Sequence, residues 1–179
     1  MQFQTTRFGL VTVSETDLIT FKEGLLGFSE LRKFVLLDDP NDEIFAWLQS
    51  CERPGVAFPV LEPELFTTDY KVNLSKHDLE ALSMKIEDRK RVFNIVTIPE
   101  DVTLMTANMK APVVINIKDR CAKQIVAQEN DYQIKHLIFA ELQKRVVQNP
   151  QVQFKASVTA GGVAVRLPLT PATNKDLSV

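Results

Sequence analysis

A series of short apolar runs, each bounded by residues typical of turns, constrains the fold of this chain more than any other feature. Some runs alternate apolar with polar residues and others are continuously apolar, and both patterns are typical of β-strands. The nine runs lie at 2–6, 10–13, 17–21, 33–38, 44–49, 56–61, 91–98, 112–117 and 123–128. Val, Ile and Thr, which favour extended backbone, make up 42 of the 179 residues. The pattern predicts a mainly β domain of about nine short strands, arranged as a barrel or a sandwich.

Two segments carry helical signals. Asp78 follows Ser75 by three positions, a pairing typical of a capped helix start, which predicts a short helix over 76–83. The segment 133–148 has apolar residues at helical spacing, and Pro150 would end a helix there. Its apolar positions are Ile134, Leu137, Ile138, Leu142 and Val146.

The pattern changes after Pro150. Apolar residues alternate with small or polar ones on both sides of Gly161 and Gly162, which predicts a β-hairpin over 152–167 and then a flexible tail. The alternating residues are Val152, Phe154, Ala156, Val158, Val163, Val165 and Leu167. We therefore predict a β domain over 1–149 and a C-terminal extension over 150–179.

Length and composition fit one domain that needs no disulfides. A chain of 179 residues can bury a real core, and its formal net charge is only −2. No apolar run approaches the length of a membrane span, and residues 1–9 lack the basic and apolar regions of a secretory signal, so we expect a cytoplasmic protein with no membrane partner. Cys51 and Cys121 show no metal-binding spacing and are expected to be buried free thiols.

No pattern in the sequence is typical of an enzyme. Its two histidines, His77 and His136, fall in the predicted helices among charged neighbours, which is not where a general base is expected. The chain has no glycine-rich phosphate-binding motif. We therefore predict no catalytic residues, no metal site and no cofactor.

Acidic residues are concentrated between positions 38 and 69, where eight acids accompany one base, Arg53. Six of these acids are candidate contacts for a protein partner: Asp38, Asp39, Asp42, Glu43, Glu62 and Glu64. Two interpretations stay open, a solvated face and a docking face for a basic partner. The segment would repel nucleic acid, and the basic run 89–91 is more typical of charges flanking an apolar strand.

Aromatic and amide side chains at the predicted strand ends form a second set of candidates. They are Trp47, Gln49, Tyr70 and Asn108. The simpler role for such residues is to satisfy backbone groups at the rim of a barrel, with the aromatic rings packed at its edge. The alternative role is contact with a partner.

Seven motifs in series give the chain a resemblance to a known family. They are 19-ITFKEGLLGF-28, 33-KFVLL-37, 47-WLQS-50, 54-PGVAFPVLEP-63 with Asp69 and Tyr70, 94-NIVTIP-99, 106-TANMKAPVVIN-116, and then Gln124 and Tyr132. In this order they resemble the flagellar assembly factor FliW family, over roughly residues 2–137. Residues 147–179 have no counterpart in that pattern.

The resemblance implies a small β-barrel-like cytoplasmic protein without enzymatic activity. It further implies two competing partners, flagellin and the translational regulator CsrA. When flagellin is exported, the freed protein would sequester CsrA and so relieve repression of flagellin translation. We expect the protein to be a monomer when free and not to bind nucleic acid directly. The alternatives are a small β-barrel enzyme or ligand-binding protein of unknown substrate and, less favoured by the acidic first half, an RNA-binding barrel.

Overall fold

The computed structural model describes residues 1–39 and 42–148. This part of the chain forms eleven β-strands and two α-helices. The elements are β1 (Gln2–Thr5), β2 (Gly9–Thr12), β3 (Ile19–Phe21), β4 (Lys33–Asp39), β5 (Asp42–Ser50), β6 (Ala57–Leu61), α1 (Lys76–Ala81), β7 (Lys90–Thr97), β8 (Thr106–Ala107), β9 (Val113–Asn116), β10 (Cys121–Gln124), β11 (His136–Leu137) and α2 (Phe139–Gln148). The hairpin expected over 152–167 and the tail after it lie outside the described residues.

Seven of the strands close into a barrel. They follow the order β7-β6-β5-β4-β3-β10-β9, and β7 pairs antiparallel with both β6 and β9, which closes the ring. Strand β8 pairs with the C-terminal end of β7, and β11 pairs with β8, so these two strands form a short extension of the sheet. Strands β1 and β2 pair with each other as a separate hairpin. The predicted mainly β, barrel-like fold is confirmed.

Strict alternation along the central strands builds the barrel interior. In β4, Phe34 and Leu36 point inward, whereas Val35 and Leu37 belong to a different cluster on the outside. The interior is filled by aromatic and aliphatic side chains from every barrel strand, among them Ile19, Phe21, Phe34, Leu36, Leu48, Val60, Phe93, Val113, Ile115 and Ala122. Because both faces of β4 are buried, its sequence is apolar without interruption from Phe34 to Leu37.

Within the described residues, three groups of elements cover parts of the outer face of the barrel. The β1–β2 hairpin covers Val35 and Leu37, and the segment around α1 covers Val114 through Leu82. The third covering consists of β8, β11 and α2, and it packs on the outer side chains of β5, β6 and β7. These coverings decide which parts of the barrel a partner can reach.

The first predicted helix is confirmed. Its N-cap is Ser75, whose hydroxyl accepts a hydrogen bond from the Asp78 N–H at 3.1 Å, while the Asp78 carboxylate accepts one from the Ser75 N–H at 2.9 Å. This reciprocal pair is the capping box that the spacing predicted. Burial of Asp78 would raise its pKa, but hydrogen bonds from Ser75 and Lys123 lower it overall.

The second predicted helix is wrong in its first third. We expected a helix over 133–148, but α2 begins at Phe139, and residues 136–137 pair with β8 as the strand β11. The Ile138 N–H donates to the Met105 carbonyl at 3.2 Å rather than to a helical partner. Long-range strand pairing thus overrides the local helical spacing, and it leaves Ile134 and Leu137 exposed. His136 accordingly lies in a strand, not in a helix.

Candidate functional site

Strand register brings the predicted acidic residues to one end of the barrel. Strand β4 ends at Asp39, and its antiparallel partner β5 begins at Asp42. Strand β6 pairs with β5 so that Val60 faces Ala46, which places the residues after Leu61 beside the start of β5. We call the group Asp39, Asp42, Glu43, Glu62 and Glu64 the acidic rim. Chain reversal between neighbouring strands therefore brings to one end of the barrel backbone positions that are up to 25 residues apart in the sequence.

Asp38 does not belong to this surface. It faces Ala46 across the β4–β5 pair, and it has the same orientation as Leu36 in the barrel interior. Its side chain is only 6% exposed. A partner approaching the rim would therefore not meet the Asp38 carboxylate directly.

Asp39 is linked to the predicted aromatic residue Trp47 and to an arginine that sequence reasoning missed. The Trp47 indole Nε1–H donates to Asp39 Oδ2 at 3.0 Å, and the Arg7 guanidinium lies 3.5 Å from the same oxygen. Arg7 also stacks on the Trp47 ring, with its Cζ 3.6 Å from the ring centroid, which is typical of a cation–π contact. Arg7 comes from the turn between β1 and β2, so part of the rim's negative charge is neutralised by the hairpin.

Glu62 is likewise paired. Arg91 Nε and Nη2 lie 2.7 and 2.5 Å from the same Glu62 carboxylate oxygen, and the pair is partly shielded from solvent. The Arg91 guanidinium also lies 4.9 Å from the Phe93 ring centroid. This member of the basic run 89–91 thus acts within the fold.

Among the rim acids whose side chains the structure describes, Glu64 is the exposed one. It lies in the 3-10 turn Pro63–Leu65 directly after β6. The Arg145 Nη1–H of α2 donates to the Glu64 carbonyl at 2.8 Å, which fixes the turn while leaving the carboxylate in solvent. Of the rim acids whose side chains are described, Glu64 is therefore the one best placed to meet a basic partner.

Gln49 has the structural role that its strand-end position suggested. Its side chain is fully buried, and its Nε2 lies 2.9 Å from the Ser50 carbonyl, 3.1 Å from that of Val56 and 3.3 Å from that of Pro54. These bonds satisfy backbone groups in the turn between β5 and β6, which burial would otherwise leave without partners. The side chain is not available to a partner.

Tyr70 and Asn108 are brought together through a residue that was not singled out from the sequence. Asn94, which is fully buried, donates from Nδ2 to the Asn108 carbonyl at 2.9 Å and to the Tyr70 hydroxyl at 3.2 Å. The Tyr70 hydroxyl in turn donates to the Met109 carbonyl at 2.7 Å. Burial raises the pKa of Tyr70, so the hydroxyl keeps its proton and stays a donor. The network ties the 106–109 segment to β7.

His77 lies on α1, His136 on β11 and Cys51 directly after β5, so these three side chains come from different parts of the described fold. The exposed His77 lies 3.3 Å from Glu23, and His136 lies 3.6 Å from Glu141, both at the surface. Burial, with a smaller contribution from Glu52, raises the pKa of the Cys51 thiol to about 12, which disfavours the reactive thiolate. Within residues 1–39 and 42–148, no His, Cys, Asp and Glu cluster could hold a metal ion, and neither helix has the length and apolar character needed to cross a membrane.

A surface that sequence reasoning missed lies on the outer side of β8 and β11. Thr97, Thr106 and Leu137 face one another across β7, β8 and β11, which places them in one row on the side opposite the buried Val96 and Ala107. Exposed apolar side chains accompany this row. We call them the edge surface: Ile98, Val102, Leu104, Ile134 and Leu137. The signal that could have revealed it is the apolar content of the loop 98–104, whose turn Val102–Leu104 has no buried residue.

Comparison with known proteins gives the family. The sequence model of the family described as FliW protein matches residues 2–138, and so spans the barrel and its coverings as far as β11. The chain belongs to the FliW family. The flagellar assembly factor FliW of Bdellovibrio bacteriovorus is 60% identical to it over 167 residues, which cover 93% of this chain and 95% of that protein. The flagellar assembly factor FliW of Clostridium tetani is 39% identical over 144 residues, covering 80% of this chain and 99% of that one.

A solved structure agrees with this assignment. The crystal structure of a flagellar assembly factor FliW superposes with a TM-score of 0.72 at 32% identity, over 78% of this chain and 97% of that chain. The FliW relatives are named as assembly factors rather than as enzymes. The barrel described above is therefore the FliW fold.

Proposed function

We propose that this protein is a cytoplasmic, non-enzymatic flagellar assembly factor that binds flagellin and the translational regulator CsrA. By sequestering CsrA when flagellin has been exported, it would relieve repression of flagellin translation and so couple flagellin synthesis to flagellum assembly. The observation that supports this best is its 60% identity to a FliW assembly factor over 93% of the chain. The free protein would be a monomer that does not bind nucleic acid.

The acidic rim supports CsrA as a partner on physical grounds. A protein that represses translation by binding RNA must carry basic surface, because neutralising phosphates supplies much of the affinity for RNA. Complementary charges speed the encounter of two proteins and orient them before contact. Asp39 and Glu62 already form ion pairs with arginines of the same chain, so the attraction for a basic partner must come mainly from the other rim residues. Among these, Glu64 has a described side chain, and that side chain is exposed.

Reversing the charge of Glu64 should therefore slow association with CsrA. We expect Glu64→Lys to lower the association rate constant by roughly threefold to tenfold at low salt, with a smaller effect on dissociation. Stopped-flow or surface-based kinetics at two ionic strengths would measure this. Added salt should shrink the difference, because it screens exposed charges beyond about 10 Å at 0.1 M.

Glu80→Lys is the matched control. It makes the same charge change at an exposed position on α1, away from the rim. Equal slowing by both variants would mean that net charge rather than the rim steers CsrA. Absence of any complex between the unmodified protein and CsrA, by calorimetry and by size-exclusion chromatography, would refute the proposed function itself.

A further inference from the structure

The backbone of β11 has one side that faces away from the sheet. Among the described residues, β11 pairs with β8 on one side and is the last strand on the other. The Ile138 N–H donates to the Met105 carbonyl, so these two residues belong to a hydrogen-bonded pair of the antiparallel ladder. Such pairs alternate with non-hydrogen-bonded ones, and the next pair is Leu137 with Thr106. The N–H and carbonyl of Leu137 therefore point toward the open edge.

Exposed leucines lie on the face next to that edge. Leu137 is 60% and Leu104 58% exposed. Leu104 precedes Thr106, the partner of Leu137, by two positions, and the intervening Met105 is buried on the opposite side. The two leucines therefore share the outward face of this part of the sheet. A patch of exposed apolar side chains beside an open sheet edge is typical of an interaction site.

The two features together favour an extended occupant. An added strand would hydrogen-bond to the N–H and carbonyl of Leu137, and its alternate side chains would lie on the same face as the Leu137 side chain. A helix satisfies its own backbone groups, so it would cover the leucines without pairing with the edge. In strand addition the main-chain bonds supply affinity and the side-chain contacts supply specificity.

The loop between β7 and β8 gives this face an acidic border. It carries Glu100 and Asp101, both exposed, and no basic residue. Hydrogen bonds from the hydroxyl and N–H of Thr103 lower the pKa of Asp101, so this carboxylate is ionised at neutral pH. Near β11 itself, the charges of Lys135 and Glu141 oppose each other. A complementary occupant therefore carries positive charge where it passes the loop.

We propose that β11 and the edge surface bind an extended segment of a partner protein, which adds a strand to the sheet beside Leu137. The segment has apolar residues at alternate positions, which contact Leu104 and Leu137, and lysines or arginines between them that meet Glu100 and Asp101. The acidic rim contributes no residue to this site. The proposal thus goes beyond the proposed function and does not rest on it.

A fluorescently labelled peptide with this chemistry tests the proposal on the full chain. The probe, Lys-Val-Lys-Val-Thr-Val-Lys, has valine at alternate positions, and anisotropy at low salt should show saturable binding. The isomer Lys-Val-Val-Val-Lys-Thr-Lys has the same composition without the alternation and should bind about tenfold more weakly or worse. Replacing the three lysines of the probe by glutamate should weaken binding by a similar factor, because the border is acidic.

Substitutions in the protein locate the binding site. The double variant Leu104→Asn/Leu137→Asn removes apolar contacts at two exposed positions and should weaken binding of the probe by about tenfold or more. Leu10→Asn is the matched control, because Leu10 is 61% exposed but lies on the separate β1–β2 hairpin. The control should leave the affinity unchanged, and thermal melts verify that all variants are folded.

Amide hydrogen exchange reads the backbone contact. A saturating concentration of the probe should slow exchange of the Leu137 N–H by about tenfold or more, because the added strand supplies its acceptor. The isomer at the same concentration should leave that rate unchanged. Protection of Leu137 is a readout that simple contact with the leucine side chains would not give.

Four results would overturn the proposal. They are no binding of the probe, equal binding of the probe and either altered peptide, equal affinities of the double variant and the control, and unchanged exchange at Leu137. A dimer of the unmodified protein that Leu104→Asn/Leu137→Asn dissociates would also overturn it, in favour of a second copy as the occupant. Because neither CsrA nor flagellin enters these measurements, their failure would leave the proposed function standing.

Discussion

Replacing Gly24 by alanine should lower the free energy of unfolding by about 2–4 kcal/mol, because it combines a disfavoured backbone angle with a steric clash. Gly24 has φ of +72°, and an added Cβ would lie 2.6 Å from the Phe28 carbonyl oxygen and 2.7 Å from two backbone atoms of Ser29. Backbone atoms cannot move aside as a flexible side chain can. Urea denaturation, with the slope m held constant between variants, would measure the loss.

Gly27 provides the control within the same loop. Its φ is +83°, but apart from its chain neighbours no heavy atom lies within 4 Å of the position that an added Cβ would take, so Gly27→Ala carries only the conformational cost of about 1 kcal/mol. Equal losses for the two variants would contradict the close approach of the Gly24 backbone to Phe28 and Ser29. The loop follows β3 directly, so the larger loss should also weaken the β3–β4 and β3–β10 pairs.

Asn94→Ala should cost about 2–4 kcal/mol of unfolding free energy, the second large effect we expect. The substitution leaves the Asn108 carbonyl and the Tyr70 hydroxyl without their buried donor, and it creates a small cavity beside β7. Tyr70→Phe, which removes the hydroxyl that donates to the Met109 carbonyl and accepts from Asn94, should cost about 1–1.5 kcal/mol. Thermal or urea unfolding of the two single variants and of the double variant would measure both losses and their coupling.

The same variants separate a structural role from contact with a partner. Because the Tyr70, Asn94 and Asn108 network is directed into the fold, Tyr70→Phe should leave the affinities for flagellin and CsrA within twofold of the unmodified protein at temperatures where it is folded. A tenfold weaker complex with either partner, measured at a temperature where Tyr70→Phe is fully folded, would instead identify Tyr70 as a binding residue.

The sequence predicts the barrel well because its strands are bounded by strong local signals. Phe34 to Leu37 is apolar without interruption and ends at acids and a proline, which indicates a strand buried on both faces. The capping pair Ser75 and Asp78 predicts α1 because both hydrogen bonds of the capping box form within four consecutive residues. In both cases, the information that decides the structure is local.

The parts that could not be predicted depend on long-range contacts. Strand β11 exists because His136 and Leu137 pair with β8, some 30 positions earlier, and nothing near them in the sequence signals that partner. The contact of Arg7 with Asp39 and Trp47 likewise requires the β1–β2 hairpin to fold over β4 and β5. Charge clustering predicts that acids could meet, but only the fold shows which of them are already paired.

The most direct test of the proposed switch is the reciprocity of its two partners. Flagellin would be titrated into a preformed complex with labelled CsrA while CsrA release is followed, and CsrA would then be titrated into a preformed flagellin complex. If the two proteins compete, each should weaken the other by the same factor, which we expect to be tenfold or more, because linkage requires the coupling to be equal in both directions. A stable ternary complex in which both affinities are unchanged would contradict the switch, even if each partner binds on its own.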